Sequence, residues 1–372
     1  MKTVFNTKNV FFTFLLSYVL ASAGVAQAQI LIGQTAGFTG AAASNVKEIT
    51  QGAMLLIDNV NANGGINGQQ IKLIQQDDVF DAVKAATNAK DLIENKNVLA
   101  LFLTRGTSHN EAILPFLERS QTPLIAPSTG AMVLHSPVKK YVFNVRPTYQ
   151  IETKRMVQEM AKMGNKKIGV VLVDDTFGDD AIVGLMQGFD AAQLKPAFVA
   201  KFDKVKLNFA AVLEQVKSQQ PDAIVYIGSG DVVFTGVDAI RKTGWNGMFA
   251  TTSNNASAGF VKSLKQHSTG MMMMQVFPNE RNYSTAFVAE AAKLAKDTPI
   301  SPAMLEGFAA AKVLVQALRN TGPNPTRAKL HAALEKLSMD LGGMKLAYSP
   351  QNHSGLSFAD LSIIGKDGSF KR

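Results

Sequence analysis

The stretch IKLIQQDDVFDAVKAATNAKDLIENKNVLALFLTRGTS, residues 71–108, decides the fold class of this chain. It begins with a short apolar run, continues as an amphipathic segment over residues 81–96, and reaches a second apolar run, VLALFL. The apolar residues of the middle segment share one face at helical spacing: Ala85, Ala89, Leu92 and Ile93. A strand, a helix and a strand in this order predict a right-handed crossover between parallel strands.

The same alternation continues on both sides of this stretch. Before it, ILIGQ reads as a strand and residues 47–63 as a helix; after it come a helix over residues 110–120 and a strand in PLIAP. Beyond YVFNVRPTY the rhythm restarts and runs to GMMMMQVF, where Met271–Met274 are predicted to form a buried strand. We therefore predict an α/β chain with two doubly wound, Rossmann-like lobes.

The length of the chain also favours two lobes. A single core seldom grows beyond about 250 to 300 residues, and this chain has 372. Three late helical segments, residues 283–296, 303–320 and 326–337, exceed what the second sheet needs. We expect them to return to the first lobe, so that the chain crosses between the lobes more than once and forms a hinge.

The first residues have the pattern of a secretory signal. Two lysines precede an apolar run at residues 10–21, and the small-residue motif Ala-Gln-Ala at residues 26–28 matches a cleavage site. The run is shorter than the roughly 18 apolar residues typical of a membrane span. We predict a signal peptide over residues 1–28, cut after Ala28, and expect the rest of the chain in the periplasm.

Composition excludes several kinds of site. The chain contains no cysteine, which rules out disulfides, thiolate metal sites and a cysteine nucleophile. Without residues 1–28 it carries 36 basic and 29 acidic side chains, a net charge of +7, which favours solubility or mild attraction to anions. The basic residues form no cluster interleaved with aromatics, so no nucleic-acid partner is expected.

The sequence shows no catalytic constellation. Five histidines are scattered without metal-ligand spacing, and neither a G-x-S-x-G elbow nor a G-x-G-x-x-G fingerprint occurs. The acid pairs at residues 77–78 and 174–175 adjoin turns and are interpreted as solvated turns or helix caps. His109 is expected at the surface or in a cap. We therefore expect no enzymatic activity, no cofactor and no metal site.

Ligands of open parallel sheets bind beyond the carboxyl ends of the strands, so the residues that follow each strand are candidates for a site. Small polar groups follow four predicted strands, at residues 104–108, 127–131, 174–177 and 229–231. After the first strand, the glycines of GQTAGFTG suit a flexible turn as well as a ligand loop. This inventory favours the binding of a small organic anion.

Arg105 stands at one of these strand ends without an evident partner. Its neighbours Ser108 and Glu111 fit the spacing of a helix capping box, which leaves the arginine unexplained. A guanidinium binds a carboxylate through two parallel hydrogen bonds. We expect Arg105 to hold an acid ligand or, alternatively, to form an ion pair between lobes or lie at the surface.

Several motifs together resemble a known family. In chain order they are ILIGQTAGFTG, DNVNANGGINGQQIKLIQQDD, TPLIAPSTGA, YVFNVRPTY, DDTFGDD and YSPQNHSGLSFADLSIIG. They resemble the type 1 periplasmic substrate-binding proteins of ABC importers, in the branch of the leucine/isoleucine/valine-binding protein. The resemblance implies two α/β lobes joined by three crossings, with lobe one at residues 30–148 and 278–350 and lobe two at residues 149–277 and 351–372.

The resemblance also implies a ligand site. In the amino-acid binders of this family, hydroxyl and main-chain groups of lobe one hold the ligand carboxylate, and the matching positions are Thr107, Ser128 and Gly130. Gly130 replaces the usual threonine, so Ser128 or Thr129 is expected to supply that hydroxyl. The aromatic residue that covers the ligand from lobe two falls on Phe177.

The position that carries a carboxylate for the ligand ammonium falls near Ser253 in this chain. A serine cannot neutralise an ammonium, and a buried cation without a partner is costly. Either a nearby aspartate, at position 174, 175 or 231, takes over this role, or the ligand has no ammonium.

These observations predict a monomeric, non-enzymatic binding protein that closes over a small carboxylate-bearing solute and delivers it to the membrane permease of an ABC importer. Asn45 and Ser229 complete the expected ligand-binding residues. We expect the ligand to be a carboxylic acid without an α-ammonium, and an aromatic acid would suit Phe177. Two alternatives are a sensor that signals to a receptor and an exported α/β enzyme.

Overall fold

The computed structural model describes Met1 and residues 29–372. The predicted signal peptide and its cleavage site lie outside the described residues, apart from Met1. Within residues 29–372 no helix is both long and apolar enough to span a membrane.

The first part of the chain alternates strands and helices, as predicted from residues 71–108. Its elements are β1 (Gln29–Ala36), α1 (Ala43–Ala62), β2 (Gln70–Asp77), α2 (Ala82–Glu94), β3 (Ala100–Phe102), α3 (Thr107–Ser120), β4 (Leu124–Ile125) and β5 (Val142–Phe143). The five strands pair in parallel in the order β2-β1-β3-β4-β5. Because strands β1 to β3 are joined by helices, their carboxyl ends all lie at the same edge of the sheet.

The alternation restarts at residue 149. The elements are α4 (Tyr149–Lys162), β6 (Ile168–Val173), α5 (Thr176–Ala191), β7 (Phe198–Phe202), α6 (Ala210–Gln219), β8 (Ala223–Ile227), α7 (Asp231–Arg241), β9 (Met248–Thr251), α8 (Ala258–Ser263) and β10 (Met272–Gln275). All four residues of β10 are buried, which confirms the buried methionine strand. Strands β6 to β10 pair in parallel.

The last part of the chain packs helices on the first lobe and adds two strands to the second sheet. Its elements are α9 (Ala286–Ala295), α10 (Pro302–Asn320), α11 (Arg327–Glu335), β11 (Ser338–Asp340), β12 (Lys345–Ala347), β13 (Asp360–Ile364) and β14 (Phe370–Lys371). Strands β11 and β12 form a hairpin, whereas β13 and β14 extend the second sheet antiparallel, in the order β14-β13-β10-β9-β8-β6-β7. Apolar residues of α9, α10 and α11 share one core with β1 and α1.

The chain passes between the two sheets three times, at residues 144–148, 276–285 and 348–359. The first and third passages are hydrogen-bonded side by side, with the Asn144 amide donating to the His353 carbonyl at 2.9 Å and the Leu356 amide to the Val145 carbonyl at 2.9 Å. The fold is therefore two α/β lobes on a hinge of three short segments, and the lobe boundaries given above stay a proposal.

His135 lies beside this hinge and gives a pH-dependent stability. Its side chain is buried, with Nδ1 at 3.0 Å from the Ser354 hydroxyl, and burial, assisted by the Arg146 charge, lowers its pKa to about 4. The unfolded chain takes up this proton near its ordinary pKa of about 6.5. Between these values the unfolded state binds more protons, so the free energy of unfolding decreases as the pH falls.

We expect a His135→Gln variant to lose less stability than the parent on acidification. Between pH values of about 7.5 and 4, the parent should lose about 3 kcal/mol more of its free energy of unfolding than the variant, since one pKa unit corresponds to about 1.4 kcal/mol. Urea denaturation at several pH values measures it. Equal pH slopes for the two proteins would contradict the prediction.

Candidate functional site

A cavity of about 360 Å³ lies between the two lobes. Lobe one lines it with the residues that follow β1, β2 and β3, and lobe two with the residues that follow β6, β7 and β8 and with Tyr149 at the start of α4. The carboxyl edges of both sheets therefore face this cavity, as expected for ligand sites of parallel sheets.

Aromatic rings cover the cavity from both lobes. On lobe one, the rings of Phe80 and His109 stack with their centroids 4.5 Å apart. On lobe two, the rings of Tyr149 and Phe177 lie 4.6 Å apart. All four residues line the cavity, so its walls suit a flat or apolar ligand body.

The acid pair at residues 77–78 holds Phe80 in place. Val79 and Phe80 have left-handed backbones, with φ of 48° and 61°, which is costly for residues with large or branched side chains. The Asp77 carboxylate accepts the Val79 amide at 2.9 Å, and the Asp78 carboxyl accepts the Phe80 amide at 2.9 Å. The solvated-turn interpretation is wrong for Asp78, which is fully buried, and burial raises the pKa of its carboxyl to about 6.

His109 is also not where it was expected. It is buried, with 3% of its surface exposed, because α3 begins at Thr107 and turns its first residues toward the cleft. Burial lowers the pKa of the imidazole to about 4, so the ring is neutral at pH values near 7 and works as an aromatic wall.

The capping box predicted for Ser108 and Glu111 is absent from this part of the structure. Gly106 stands at the cap position with φ of 95°, and no side chain caps the helix there. The Glu111 carboxylate instead accepts a hydrogen bond from the Thr176 hydroxyl at 2.8 Å. Glu111 therefore joins the two lobes, since Thr176 belongs to α5.

Arg105 is buried between the lobes, and only 2% of it is exposed. Its Nη1 donates to the carbonyl and the hydroxyl of Ser128, at 3.2 and 2.9 Å, and its Nη2 donates to the Asn254 carbonyl at 2.9 Å. The first partner belongs to lobe one and the second to lobe two. Its Nε is buried without a hydrogen-bond partner among the described residues, while the residue as a whole lines the cavity.

A buried network of charges stands behind Arg105. The Ser128 hydroxyl donates to the Glu306 carboxylate at 2.7 Å, and Glu306 lies 3.5 Å from the guanidinium of Arg146. Arg146 also donates to the Glu152 carboxylate at 2.6 Å. Two arginines and two glutamates thus balance each other in the interior, as buried charges require.

Ser253 belongs to the same network. Its hydroxyl accepts a hydrogen bond from Arg146 at 2.5 Å, and its amide donates to the Glu152 carboxylate at 3.0 Å. Burial alone would lower the pKa of Arg146, but the carboxylates of Glu306 and Glu152 raise it above its usual range. Arg146 therefore stays charged.

Of the three aspartates predicted near the site, two are paired with lysines and one is exposed. Asp175 accepts the amides of Phe177 and Gly178 as the cap of α5 and pairs with Lys204 at 2.5 Å. This confirms the helix-cap interpretation for Asp175. Asp174 is exposed and pairs with Lys201, and Asp231 is exposed at the start of α7.

The structure places the nine residues predicted for the site in or around the cleft between the lobes. Four of them line the cavity: Arg105, Thr107, Phe177 and Ser229. Three others lie behind it or at the hinge: Ser128, Ser253 and Thr129. The hydroxyl of Thr129 is 3.0 Å from that of Thr107. Gly130 packs against the first hinge segment, and Asn45 lines a smaller cavity that also touches Arg105.

Sequence reasoning missed several residues of the site: Phe80, His109, Tyr149, Lys204, Arg146, Glu152 and Glu306. A signal existed for Phe80, His109 and Lys204, because each follows a predicted strand by a few residues. Glu306 and Glu152 lie within helices, where the sequence pattern does not distinguish a buried acid from one exposed to solvent.

Comparisons with known proteins show the family of this chain. The family model described as periplasmic binding protein matches residues 29–359. A Leu/Ile/Val-binding protein homolog of Brucella suis is 22% identical, over 94% of this chain and 92% of its own. An amino acid binding protein of Pseudomonas aeruginosa is 34% identical over 23% of each chain.

Solved structures show the same fold. A possible leucine/isoleucine/valine-binding protein from Rhodopirellula baltica superposes with a TM-score of 0.85 at 24% identity, covering 94% of this chain and 97% of its own. A leucine-binding protein from Thermotoga maritima gives a TM-score of 0.78 at 18% identity, covering 92% and 98%. With the family model matching most of its length, the chain belongs to the periplasmic binding protein family.

Proposed function

We propose that this protein captures a small carboxylate-bearing solute between its lobes and delivers it to the membrane permease of an ABC importer. The observation that carries the proposal is the interlobe cavity of about 360 Å³ with aromatic walls and a buried arginine. A volume of this size suits a small organic molecule. The protein works by binding alone, as a monomer exported through the signal at residues 1–28.

The charges around the cavity favour an acid without an α-ammonium. The acids that line it are Asp81, exposed at the cap of α2, and Asp175, which is paired with Lys204. Glu152 and Glu306 are engaged with Arg146. A ligand ammonium would therefore meet only the exposed carboxylate of Asp81 and no buried one that is free to pair with it, which is costly, whereas a ligand carboxylate would meet the buried Arg105.

A binding screen tests this proposal. Residues 29–372 are mixed with benzoate, phenylacetate, isovalerate, leucine or valine, and melting temperatures and calorimetric affinities are measured, because ligands that bind the native state raise its melting temperature. We expect the acids without an ammonium to bind more tightly, and X-ray scattering to show compaction on binding. Tight leucine binding together with no response to the organic acids would contradict the ligand class.

We predict that Arg105→Ala weakens binding of the acid found in that screen by about tenfold to hundredfold. Loss of a charge-assisted hydrogen bond costs roughly 1.5 to 3 kcal/mol. Arg105→Lys should recover only part of the affinity, because an ammonium lacks the fork geometry, and Thr107→Ala should cost only about 1 kcal/mol. Normal affinity in Arg105→Ala, with a lower melting temperature of the free protein, would make Arg105 a purely structural bridge between lobes.

A further inference from the structure

A second, much smaller cavity of about 10 Å³ adjoins the first. Ala41 and Arg105 line both cavities, so the two are neighbouring compartments of one cleft. The small cavity is walled by both lobes, with Ser44 and Asn45 of α1 on one side and Asn254 and Asn255 on the other. Its volume suits a single water-sized group.

Two residues that line this cavity, Asn45 and Arg105, carry buried polar atoms without a partner among the described residues. Asn45 is 5% exposed, and both its amide nitrogen and its amide oxygen are buried without a partner among the described residues. The Nε of Arg105 is in the same condition. Buried polar groups are nearly always hydrogen-bonded, and leaving them unpaired is costly. The three atoms therefore indicate a bound group that satisfies them.

The chemistry of these atoms defines that group. The Asn45 amide nitrogen and Arg105 Nε are donors and the Asn45 amide oxygen is an acceptor, so the group has to accept and donate hydrogen bonds at once. An ammonium has no lone pair to accept them, and a carboxylate has no proton to donate and exceeds the volume. An O–H group meets both requirements.

Two helix N-termini reach the same place from opposite lobes. Neither α1, capped by Ala42, nor α7, capped by Gly230, has a side-chain cap, and the Asp231 amide lies 3.4 Å from the Ala41 carbonyl. The partial positive charge of helix N-termini favours an oxygen lone pair near them.

We propose that the small cavity binds a single O–H group that bridges Asn45 and Arg105 across the closed lobes. Two sources share this chemistry: a trapped water molecule, or a hydroxyl of the captured solute. The second source rests on the proposed function, whereas the first does not require any solute.

A crystal structure of the closed protein, at a resolution that shows ordered water, tests the site directly. We expect one oxygen atom within hydrogen-bond distance of the Asn45 amide and of Arg105 Nε. An isolated oxygen identifies water, and an oxygen continuous with solute density identifies a hydroxyl; both support the site. A cavity without an oxygen, or an Asn45 amide turned to a protein partner, would overturn it.

The variant Asn45→Leu tests the site in solution through the sign of its effect. If an O–H group is bound, leucine removes the bridge and leaves Arg105 Nε unpaired, so the closed state should be populated roughly fivefold less. If nothing is bound, leucine removes an unsatisfied amide, and closure should be unchanged or favoured. The chain has no cysteine, so spin labels can be attached at Val83→Cys and Lys206→Cys, two exposed positions at the edge of the cleft. The labels report the distance between lobes.

Asn59→Leu is the matched control, since Asn59 is an exposed asparagine of the same helix. It should leave the closed fraction unchanged. Two pairs of acids test whether the solute supplies the hydroxyl: benzoate with 4-hydroxybenzoate, and isovalerate with 2-hydroxyisovalerate. If the protein prefers the hydroxylated acid and Asn45→Leu abolishes this preference, the O–H group belongs to the solute. If no acid binds, the proposed ligand class fails, while an ordered water in the closed crystal still supports the site.

Discussion

Replacing Gly230 with alanine is expected to prevent closure of the lobes and to lower the affinity for the bound acid by at least about a hundredfold, or about 2.7 kcal/mol. A methyl group at this position would lie 1.6 Å from the Ala41 carbonyl oxygen. Gly230 belongs to lobe two and Ala41 to lobe one, where both border the ligand cleft. The added carbon therefore has to push the lobes apart, and a ligand that contacts only one lobe loses half of its interactions.

The backbone at Gly230 has φ of 52° and ψ of −127°, a conformation that favours glycine, so alanine also adds local strain of about 1 to 3 kcal/mol. Gly244→Ala separates the two effects, because Gly244 has φ of 88° and no atom within 4 Å of an added carbon. Both variants should lose some stability through backbone strain, but only Gly230→Ala should lose affinity in calorimetry and compaction in X-ray scattering. Normal compaction of Gly230→Ala on ligand binding would show that the closed arrangement differs from this structure.

Replacing Arg146 with alanine is expected to lower the free energy of unfolding by about 3 to 5 kcal/mol. Arg146 is 2% exposed and pairs with Glu152 and Glu306, which are themselves buried. Without the guanidinium, the interior keeps two carboxylates but only one cation, Arg105, so one carboxylate is left uncompensated and carries the cost of desolvation. Urea denaturation measures the change.

Two further variants show whether charge is the cause. Arg146→Ala combined with Glu152→Gln should recover much of the lost stability, because one buried arginine, Arg105, then balances one buried glutamate, Glu306. Arg155→Ala is the control for an exposed arginine: its ion pairs with Glu159 and Asp360 lie at the surface, where such pairs contribute at most about 1 kcal/mol. An Arg146→Ala protein as stable as Arg155→Ala would show that the network is hydrated or dispensable.

The order of strands and helices could be predicted from the sequence, because burial on a sheet imposes a local period on the apolar residues. The helix over residues 81–96 and the strand at Met271–Met274 are both recognisable in this way. The same periodicity predicted three late helices, which are more than the second sheet needs to cover it. In the structure these helices pack against β1 and α1. Strand ends then indicated Arg105, Thr107, Phe177 and Ser229, since polar groups after buried strands lie at one edge.

Strand ends place Phe80 and His109 near the cleft, but they do not show that the two rings face it. Phe80 reaches the cavity because two aspartates hold a left-handed turn, and the His109 ring stacks on the Phe80 ring with the centroids 4.5 Å apart. Such backbone turns depend on hydrogen bonds that the apolar period does not encode.

The sequence by itself determined the alternation of elements and the polar groups that follow the strands, because both depend on residues that are close together in the chain. The absence of cysteine follows from composition alone. Only the tertiary structure decided the partners of Arg105, which donates to Ser128 and, across the lobes, to Asn254. Only it joined Arg146 to Glu306, which are 160 positions apart. Partner choice between charged groups depends on distance and on exclusion of water, and both are fixed when the lobes pack together.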